Sequence, residues 1–222
     1  MRRLFDIALS GMALTALSPL LIPVSVLLKF TGEGEVLYIQ KRMGKGREKF
    51  GIFKFVTMMK NSENMKNGTL TVKDDPRVLP IGKILRKTKI NELPQLLNIL
   101  KGDMSVIGPR PLTENAFSAY PDESQNAVSQ VKPGLSGIGS IIFRDEESML
   151  DNPNIDRVEF YKNEIAPYKG KLEEWYVEHQ DTYTYFMLIG LTAWVVAFPK
   201  SDIYKKIFKD LPKVPKGLIK YL

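Results

Sequence analysis

Charged side chains that suit phosphate chemistry are concentrated between Gly82 and Leu112. Glu92 follows a run of cations that includes Arg86, and Arg110 stands further on, between two prolines. A carboxylate can hold a divalent metal ion or transfer a proton, and a guanidinium group binds phosphate oxygens in a forked geometry. These residue types together predict a site for phosphorylated substrates.

A short amphipathic helix is predicted at the centre of this stretch. Leucines recur with the i, i+3, i+4, i+7 spacing of one helical face, at positions 93, 96, 97 and 100. Because Pro94 is tolerated only in a first turn, the helix is expected to begin near Asn91, which then serves as its N-cap. The free N–H groups and the helix dipole at this end would favour a bound anion.

The residues after this helix are expected to hold Arg110 rigidly. An apolar run at 104–107 predicts a buried strand, and the turn at 108–111 leaves that strand with a proline on each side of the arginine. Rigid backbone on both sides lowers the entropy that is lost when Arg110 grips an anion or stacks on a base.

Three motifs in one uninterrupted block of this stretch resemble the bacterial sugar transferase family, the monotopic phosphoglycosyl transferases. They are ELPQL at 92–96, KGDMS at 101–105 and GPRP at 108–111. The resemblance implies transfer of a sugar 1-phosphate from a UDP-sugar to polyprenyl (undecaprenyl) phosphate, with release of UMP and a requirement for Mg²⁺. Such a reaction is the first membrane step of surface polysaccharide or glycoconjugate synthesis.

The resemblance also implies a covalent mechanism, and the chain departs from the family at the residue concerned. Family members carry an Asp-Glu pair at the helix start, and the Asp is the nucleophile that forms a phosphosugar intermediate. Here the pair is Asn91-Glu92. A neutral carboxamide is a poor nucleophile and binds magnesium less strongly than a carboxylate does.

Four interpretations of this pair are open. Asn91 positions the substrate while Glu92 supplies the metal ligand or the base for direct attack by the lipid phosphate, or Glu92 is itself the nucleophile. Alternatively, the chain carries an introduced substitution that inactivates it, or it is a natural inactive relative. An inactive chain would serve as a membrane scaffold that binds nucleotide sugar or lipid phosphate without turnover.

Two further cations match family positions on the substrate side. Arg42 lies in the match to a Q-x-R-x-G motif, and Lys54 begins the match to a K-F-x-T-M motif. A basic residue commonly fills the position of Val56, so Lys54 is the candidate to replace it. The basic residues at 41–49 have a second interpretation, as a solvated turn near lipid headgroups.

Three more arginines are candidate phosphate or nucleotide ligands by the same resemblance. Arg77 ends a D-x-R element, Arg86 ends a G-K-x-x-R element, and Arg144 stands where relatives carry an arginine after a glycine-rich loop. Arginines beside acids are more often structural ion pairs, so that role stays open for Arg77 and Arg86. The loop beyond Gly137 diverges from the family pattern, which leaves the sugar unassigned.

The N-terminal segment predicts attachment to a membrane. Residues 4–30 are almost wholly apolar, Ser18-Pro19 and Pro23 interrupt them, and positive charge flanks both ends. Each arm of about a dozen residues would reach only about 18 Å, well short of the hydrocarbon thickness. We therefore expect a re-entrant hairpin bent at Ser18 and Pro19 with both ends cytoplasmic. A kinked full crossing and a cleaved signal peptide are the alternatives.

Composition limits the remaining choices. The chain has 222 residues, a formal charge of +7, no cysteine and one histidine. These values exclude disulfides and thiolate metal sites, leave little room for imidazole catalysis, and favour an anionic partner. Nucleic acid is not expected, because the basic residues flank apolar anchors and form no stripe interleaved with aromatics.

The rest of the chain is predicted to be peripheral to this site. We expect a surface loop at 61–75, polar helix at 114–131, a glycine-punctuated loop at 132–140 and an amphipathic helix at 155–178. The apolar segment at 183–198 is too short to span a bilayer and predicts an interfacial or core-packed helix. A lysine-rich tail at 200–220 is expected to contact headgroups.

The fold class predicted from these features is α/β, with one compact small-sheet domain. A re-entrant membrane hairpin would occupy residues 1–31, the catalytic domain 32–178, and membrane-interfacial helices 179–222. The expected location is the cytoplasmic face of the bacterial inner membrane. Anionic membrane lipid is an expected partner, and a homo-oligomer is left open.

Overall fold

The computed structural model describes residues 2–32, 34–62, 75–150, 155–199 and 201–222. Most of the surface loop predicted at 61–75 lies outside the described residues. In chain order, the helices and strands are α1 Arg2–Phe30, β1 Leu37–Met43, β2 Lys49–Phe55, α2 Pro80–Lys87, α3 Gln95–Lys101, β3 Ser105–Ile107, α4 Glu114–Ser118, α5 Asp122–Ser129, β4 Gly134–Ser136, α6 Ile138–Ile142, α7 Glu146–Leu150, α8 Arg157–Phe160, α9 Ala166–Glu178, α10 Thr182–Ala197 and α11 Tyr204–Ile207.

The chain divides into two compact units. The first, here called the N-terminal unit, comprises Leu4–Lys41 and Gly51–Lys101, and the C-terminal unit comprises Met1–Arg3, Arg42–Phe50 and Gly102–Leu222. The mixture of helices with two small sheets confirms the predicted fold class at that level. The prediction of a single compact domain is not confirmed.

The N-terminal unit has its own apolar core. Leu28 of α1, Phe55 of β2 and Leu85 of α2 are buried together. Close packing at the start of α2 depends on Gly82, because a Cβ there would overlap the backbone of Thr57. The core therefore fixes α2 against the end of β2, which is the part of this unit that carries the candidate site residues.

Helix α1 runs without a break through the positions where a hairpin bend was predicted. It has 29 residues and contains both Pro19 and Pro23. Pro19 has no N–H to donate to the carbonyl of Thr15, and the Ser18 hydroxyl donates to that oxygen instead, at 2.8 Å. This bond satisfies the carbonyl within the helix, so the proline does not divide α1 into two. The re-entrant hairpin is not confirmed.

Helix α1 is also the one helix of the described residues that is long and apolar enough to cross a membrane. Only 6% of its most apolar window is buried against the protein. Helix α10 is apolar too but has 16 residues, in agreement with the short helix predicted at 183–198. Length and composition alone support a membrane role for α1, and they do not fix how it enters the bilayer.

The C-terminal unit is organised around a two-stranded parallel sheet. Strand β3 pairs with β4 so that Ser105 lies opposite Gly134 and Ile107 opposite Ser136. Just beyond β3 the two backbones meet at glycines: the Gly108 amide donates to the Ser136 carbonyl at 2.9 Å, and the Gly134 amide donates to the Pro109 carbonyl at 2.8 Å. A Cβ on Gly134 would overlap the backbone of Gly108.

Two predicted elements differ from the structure in this unit. The polar helix predicted at 114–131 is two helices, α4 and α5, because Pro121 interrupts the chain between them. The loop predicted at 132–140 instead contains β4 and the start of α6. Its glycines permit the close approach of Gly134 to β3, so a sequence rich in turn residues forms a short, partly buried strand.

The glycine contact between the two strands leads to a stability prediction. Replacing Gly134 with Ala should lower the free energy of unfolding by about 1–3 kcal/mol, because the new methyl group must displace backbone. The matched control is Gly190→Ala in α10, where nothing lies within 4 Å of a new Cβ. That control should be neutral or slightly stabilising. Denaturant unfolding in detergent, followed by tryptophan fluorescence, measures both, and equal midpoints would contradict the backbone contact.

Candidate functional site

Asn91 and Glu92 lie in a 3-10 turn that precedes α3. The turn covers Ile90–Glu92 and is entered through Lys89 in the left-handed conformation, at φ 59°. Its hydrogen bonds are i→i+3 contacts, such as that from the Leu93 amide to the Ile90 carbonyl at 3.1 Å. Pro94 has no N–H with which to complete an α-helical bond to Ile90, so α3 begins only at Gln95.

The prediction that Asn91 caps the helix is therefore wrong. Its side chain is 8% exposed, and its Oδ1 atom accepts no hydrogen bond from the described residues. The α3 helix has 7 residues and starts four positions further on. The helix N-terminus consequently gives no support for an anion site here, and what remains is a buried amide oxygen with unused acceptor capacity.

The N-terminal unit brings Glu92 together with Lys54. The Lys54 Nζ atom lies 3.9 Å from Glu92 Oε1, and the two side chains are 17% and 19% exposed. Partial burial strengthens the interaction of such a pair relative to bulk water. The structure thus places Lys54 beside one of the two predicted catalytic residues.

Asn98 is a positioning residue that the sequence interpretation did not find. Its Oδ1 accepts from the Phe53 amide at 2.9 Å, and its Nδ2 donates to the Gly51 carbonyl at 2.8 Å. It is wholly buried. These two bonds tie α3 to β2 next to Lys54. The sequence signal for Asn98 was a carboxamide among the leucines of α3. A carboxamide suits the edge of a strand because it can donate one hydrogen bond and accept another.

Arg77 has a structural role in this unit. Its guanidinium forms a forked pair with Asp75, with distances of 2.9 Å from Nε and 2.6 Å from Nη2. A third nitrogen, Nη1, donates to the Ser62 carbonyl at 2.7 Å. The side chains of Arg77 and Asp75 are almost fully buried. The ion-pair alternative for Arg77 is therefore favoured, and a phosphate contact is not supported.

Arg86 lies in the last turn of α2 and is half-buried. Its carbonyl accepts from the Lys89 amide at 3.1 Å, which leads the chain into the turn that carries Asn91 and Glu92. Helix α2 packs against that turn. The role of Arg86 in binding phosphate stays a prediction.

A second cluster, in the C-terminal unit, contains Arg110 and Arg42. The Arg110 side chain is exposed, while Pro109 and Pro111 on either side of it are buried. The turn is tied to β1 by a bond from the Met43 amide to the Leu112 carbonyl at 2.8 Å. Arg42 Nη1 donates to the Pro111 carbonyl at 3.4 Å. The structure therefore confirms a turn with a buried proline on each side of Arg110, and Arg42 contacts that turn.

Beside Arg110 is a cleft whose polar floor the sequence interpretation missed. Its interior volume is about 20 Å³, room for about one water molecule, and Tyr120 and Glu173 line it together with Met43, Gly44, Pro109, Arg110, Leu112, Phe117, Val128 and Pro133. Burial raises the pKa of the Glu173 carboxyl to about 7. An acid on the apolar face of the helix predicted at 155–178 was the signal that could have identified it.

Arg144 follows α6 and is exposed. No contact between its side chain and the Arg110 turn or the cleft is observed among the described residues. Its proposed role as a substitute for the family arginine stays a prediction.

The residues present fit a magnesium ion that arrives with a phosphorylated substrate. The described residues contain no group of three or more His, Cys, Asp or Glu side chains that could hold a metal by themselves. Magnesium is commonly bound by one or two protein oxygens together with substrate phosphates. The partly exposed Glu92 carboxylate provides an oxygen of that kind, and Glu92 is the residue that would hold it.

Comparison with known proteins identifies the family to which the chain is similar. Residues 1–199 match the family described as bacterial sugar transferase. The chain is 37% identical over 161 residues to the exopolysaccharide production protein ExoY of Sinorhizobium fredii (strain NBRC 101917 / NGR234), which covers 66% of this chain and 71% of that protein.

Two longer relatives carry more specific names. A UDP-N-acetylgalactosamine-undecaprenyl-phosphate N-acetylgalactosaminephosphotransferase of Aeromonas hydrophila is 40% identical over 144 residues, or 64% of this chain and 34% of that protein. An undecaprenyl-phosphate glucose phosphotransferase of Komagataeibacter xylinus is 37% identical over 150 residues, or 63% and 27%. The alignment thus spans about a third or less of each of these longer proteins.

The buried pair of Arg77 and Asp75 gives a prediction that separates structure from binding. Arg77→Met should lower the free energy of unfolding by about 3–5 kcal/mol, because it leaves Asp75 buried without its partner. Lys60→Met is the matched control, since Lys60 and Glu35 form an exposed pair, and it should cost less than about 1 kcal/mol. Denaturant unfolding measures both. A normal unfolding midpoint with weakened nucleotide binding would instead restore Arg77 as a ligand.

Proposed function

The chain belongs to the bacterial sugar transferase family, and on that premise we propose that it transfers a sugar 1-phosphate from a UDP-sugar to polyprenyl phosphate. In this reaction an oxygen of the lipid phosphate becomes bonded to the phosphorus that carries the sugar. The bond from that phosphorus to UMP breaks, and UMP leaves with the electron pair. The product is a lipid diphosphate sugar for surface polysaccharide synthesis.

One observation carries most of this proposal: Glu92 lies beside Lys54 and follows the buried, unpaired oxygen of Asn91. Lys54 supplies positive charge for phosphate oxygens, and Glu92 holds a metal ion or accepts a proton. Magnesium bound with the substrate would neutralise diphosphate charge. The names of the Aeromonas and Komagataeibacter relatives, which include undecaprenyl phosphate, support this substrate class.

The proposal assigns direct attack to the lipid phosphate, with Asn91 as an orienting residue. An amide cannot form a stable covalent intermediate of the kind that a carboxylate nucleophile forms. Glu92 is available to the reaction because its carboxylate is partly exposed. If Glu92 is instead the nucleophile, the same two residues are required, and only the number of steps differs.

A second candidate function is binding without turnover, and the neutral side chain of Asn91 is the observation that favours it. Such a protein would retain UDP-sugar or lipid phosphate at the membrane as a scaffold. It would bind nucleotide sugar and release no UMP.

A UMP-release assay over a panel of UDP-sugars, with polyprenyl phosphate and Mg²⁺ in detergent, tests the transferase. Glu92→Gln and Arg110→Ala should each lower the rate by about 10²–10³-fold, the size typical for loss of one electrostatic contact in a transition state. Asn91→Asp should raise the rate, because it restores an anionic nucleophile. Glu35→Gln is the matched control, since Glu35 lies in an exposed ion pair of the same unit.

The outcomes of this assay separate the two candidates. No UMP release from either wild type or Asn91→Asp, across the whole panel, would reject the transferase. Retained binding of nucleotide sugar under the same conditions would then support the scaffold.

We also propose that α1 attaches the protein to the cytoplasmic face of the inner membrane. Apolar side chains project from α1 into solvent, among them Leu4, Met12, Ile22 and Phe30. Trp194 and Phe198 at the end of α10 are exposed as well, and lysines of the C-terminal segment suit anionic headgroups. The positive charge at both ends of α1 favours placing both on the cytoplasmic side.

Because the sequence contains no cysteine, single cysteines can report the path of α1. One would be inserted after Met1 and another would replace Thr31. A re-entrant path predicts that neither reacts with a membrane-impermeant maleimide in intact spheroplasts, while both react after permeabilisation. Labelling of the N-terminal cysteine in intact spheroplasts would show that α1 crosses the bilayer instead.

A further inference from the structure

Glu173 is a buried acid that the proposed transfer step does not use. Its side chain lies on α9 and is 1% exposed. Neither carboxylate oxygen accepts a hydrogen bond from the described residues. One of these oxygens packs so closely on Gly139 of α6 that a Cβ there would overlap it. Glu173 is therefore held tightly in place without any of the hydrogen bonds that an ionised carboxylate requires.

An ionised carboxylate in this position is costly. Burial without hydrogen bonds disfavours the charged form of an acid, and the group then retains its proton at higher pH. The Arg110 amide approaches the Glu173 carboxylate without reaching hydrogen-bond geometry. Together with Lys169, it opposes the effect of burial and leaves the pKa at about 7. Glu173 therefore changes its charge close to neutral pH.

The charged and titratable groups around Glu173 come from every element packed near it. Lys169, on the same helix, is paired with Glu146 of α7 at 2.8 Å. Burial raises the pKa of Tyr120 well above its usual value, as it does that of Tyr161, so both stay neutral hydroxyls. Helix α6 contributes the backbone of Gly139 at this point. Arg110 is the second cation that acts on Glu173.

Glu173 and Arg110 share the cleft described above. Arg110 is exposed at the surface, and Arg42 is tied to the same turn through Pro111. The Arg110 guanidinium stands on the turn and the Arg42 guanidinium reaches the turn from β1, and guanidinium groups suit a phosphate group. An anion bound there would add negative charge beside the one buried acid of the cleft.

We propose that the Arg110 turn binds the phosphate groups of the nucleotide substrate while Glu173 is protonated, so that Glu173 sets the pH range over which the nucleotide binds. The identity of the anion as a nucleotide rests on the proposed function. The proposed effect of Glu173 on anion binding does not depend on that identity, because it rests on the position of Glu173 and Arg110 in one cleft.

The direction of the effect follows from proton linkage. Like charge raises the pKa of an acid, so the bound anion raises that of Glu173 further. Below pH 7 the acid is already protonated in the free protein, and affinity does not depend on its charge. Above pH 7 binding must take up a proton, and affinity falls by up to tenfold per pH unit until the pKa of the complex is reached.

Calorimetric titration of the full chain in detergent with UDP, from pH 6 to pH 9, tests the proposal. UDP itself ionises in this pH range, and its ionisation affects both proteins equally. The affinity of wild type is therefore divided by that of Glu173→Gln at each pH, so that the contribution of UDP cancels. That ratio should be near its maximum at pH 6 and fall at least fivefold by pH 9, because the amide stays neutral throughout. Glu174→Gln is the matched control: Glu174 is the next residue and accepts instead from Lys171, so its pH profile should follow wild type.

If Glu173→Gln fails to fold, a measurement of proton uptake on wild type alone tests the same proposal. Titrations at pH 8 in two buffers of different ionisation enthalpy report the number of protons taken up with UDP. The proposal expects a clear fraction of one proton, and that uptake should disappear in Arg110→Ala along with UDP binding. Uptake near zero, parallel pH profiles for wild type and Glu173→Gln, or no UDP binding at pH 6 would each overturn it.

This result is independent of the transferase assay. A protein that binds UDP with proton uptake but releases no UMP would leave the coupling intact and reject only the proposed reaction.

Discussion

The close contact between the backbones of Gly108 and Gly134 is the constraint on which the C-terminal unit depends. It forms where β3 ends, and there the chain turns through Gly108 into the proline-flanked Arg110. A side chain at either glycine would separate the two backbones, and the paired amides and carbonyls would lose their partners. The backbone that carries the exposed Arg110 guanidinium is therefore held in one conformation. Such rigidity lowers the entropy lost when Arg110 binds an anion.

Buried charges are satisfied to different degrees, and this difference indicates what each charge does. Asp75 and Arg77 satisfy each other through a forked pair, which makes them part of the framework. Glu173 has no such partner for either oxygen. A native protein rarely keeps a buried acid unsatisfied unless the group has another role. The fully paired residues therefore belong to structure, and the unsatisfied one is the candidate for function.

The sequence predicted those parts of the molecule that depend on local pattern. Strand β3 and helix α10 follow from apolar runs in the sequence. The N-cap assigned to Asn91 failed because Pro94 replaces the expected helical turn with 3-10 bonds. Asn98 and Glu173 stand out as polar residues on apolar helical faces, but their roles could not be assigned from the sequence because these roles depend on partners distant in the chain. The open choice for Arg77 was resolved by such a partner, Asp75.

Asn91 shows how local burial and chemistry oppose each other at the candidate site. An aspartate in its place would supply an anionic nucleophile at a cost in stability, because burial and the charge of the neighbouring residue Glu92 both oppose its ionised form. Lys54, whose Nζ lies 3.9 Å from Glu92 Oε1, offsets part of this negative charge. A neutral amide avoids this cost in the resting protein. It follows that a chain with Asn91 must draw its negative nucleophile from the substrate, or from Glu92, and not from residue 91.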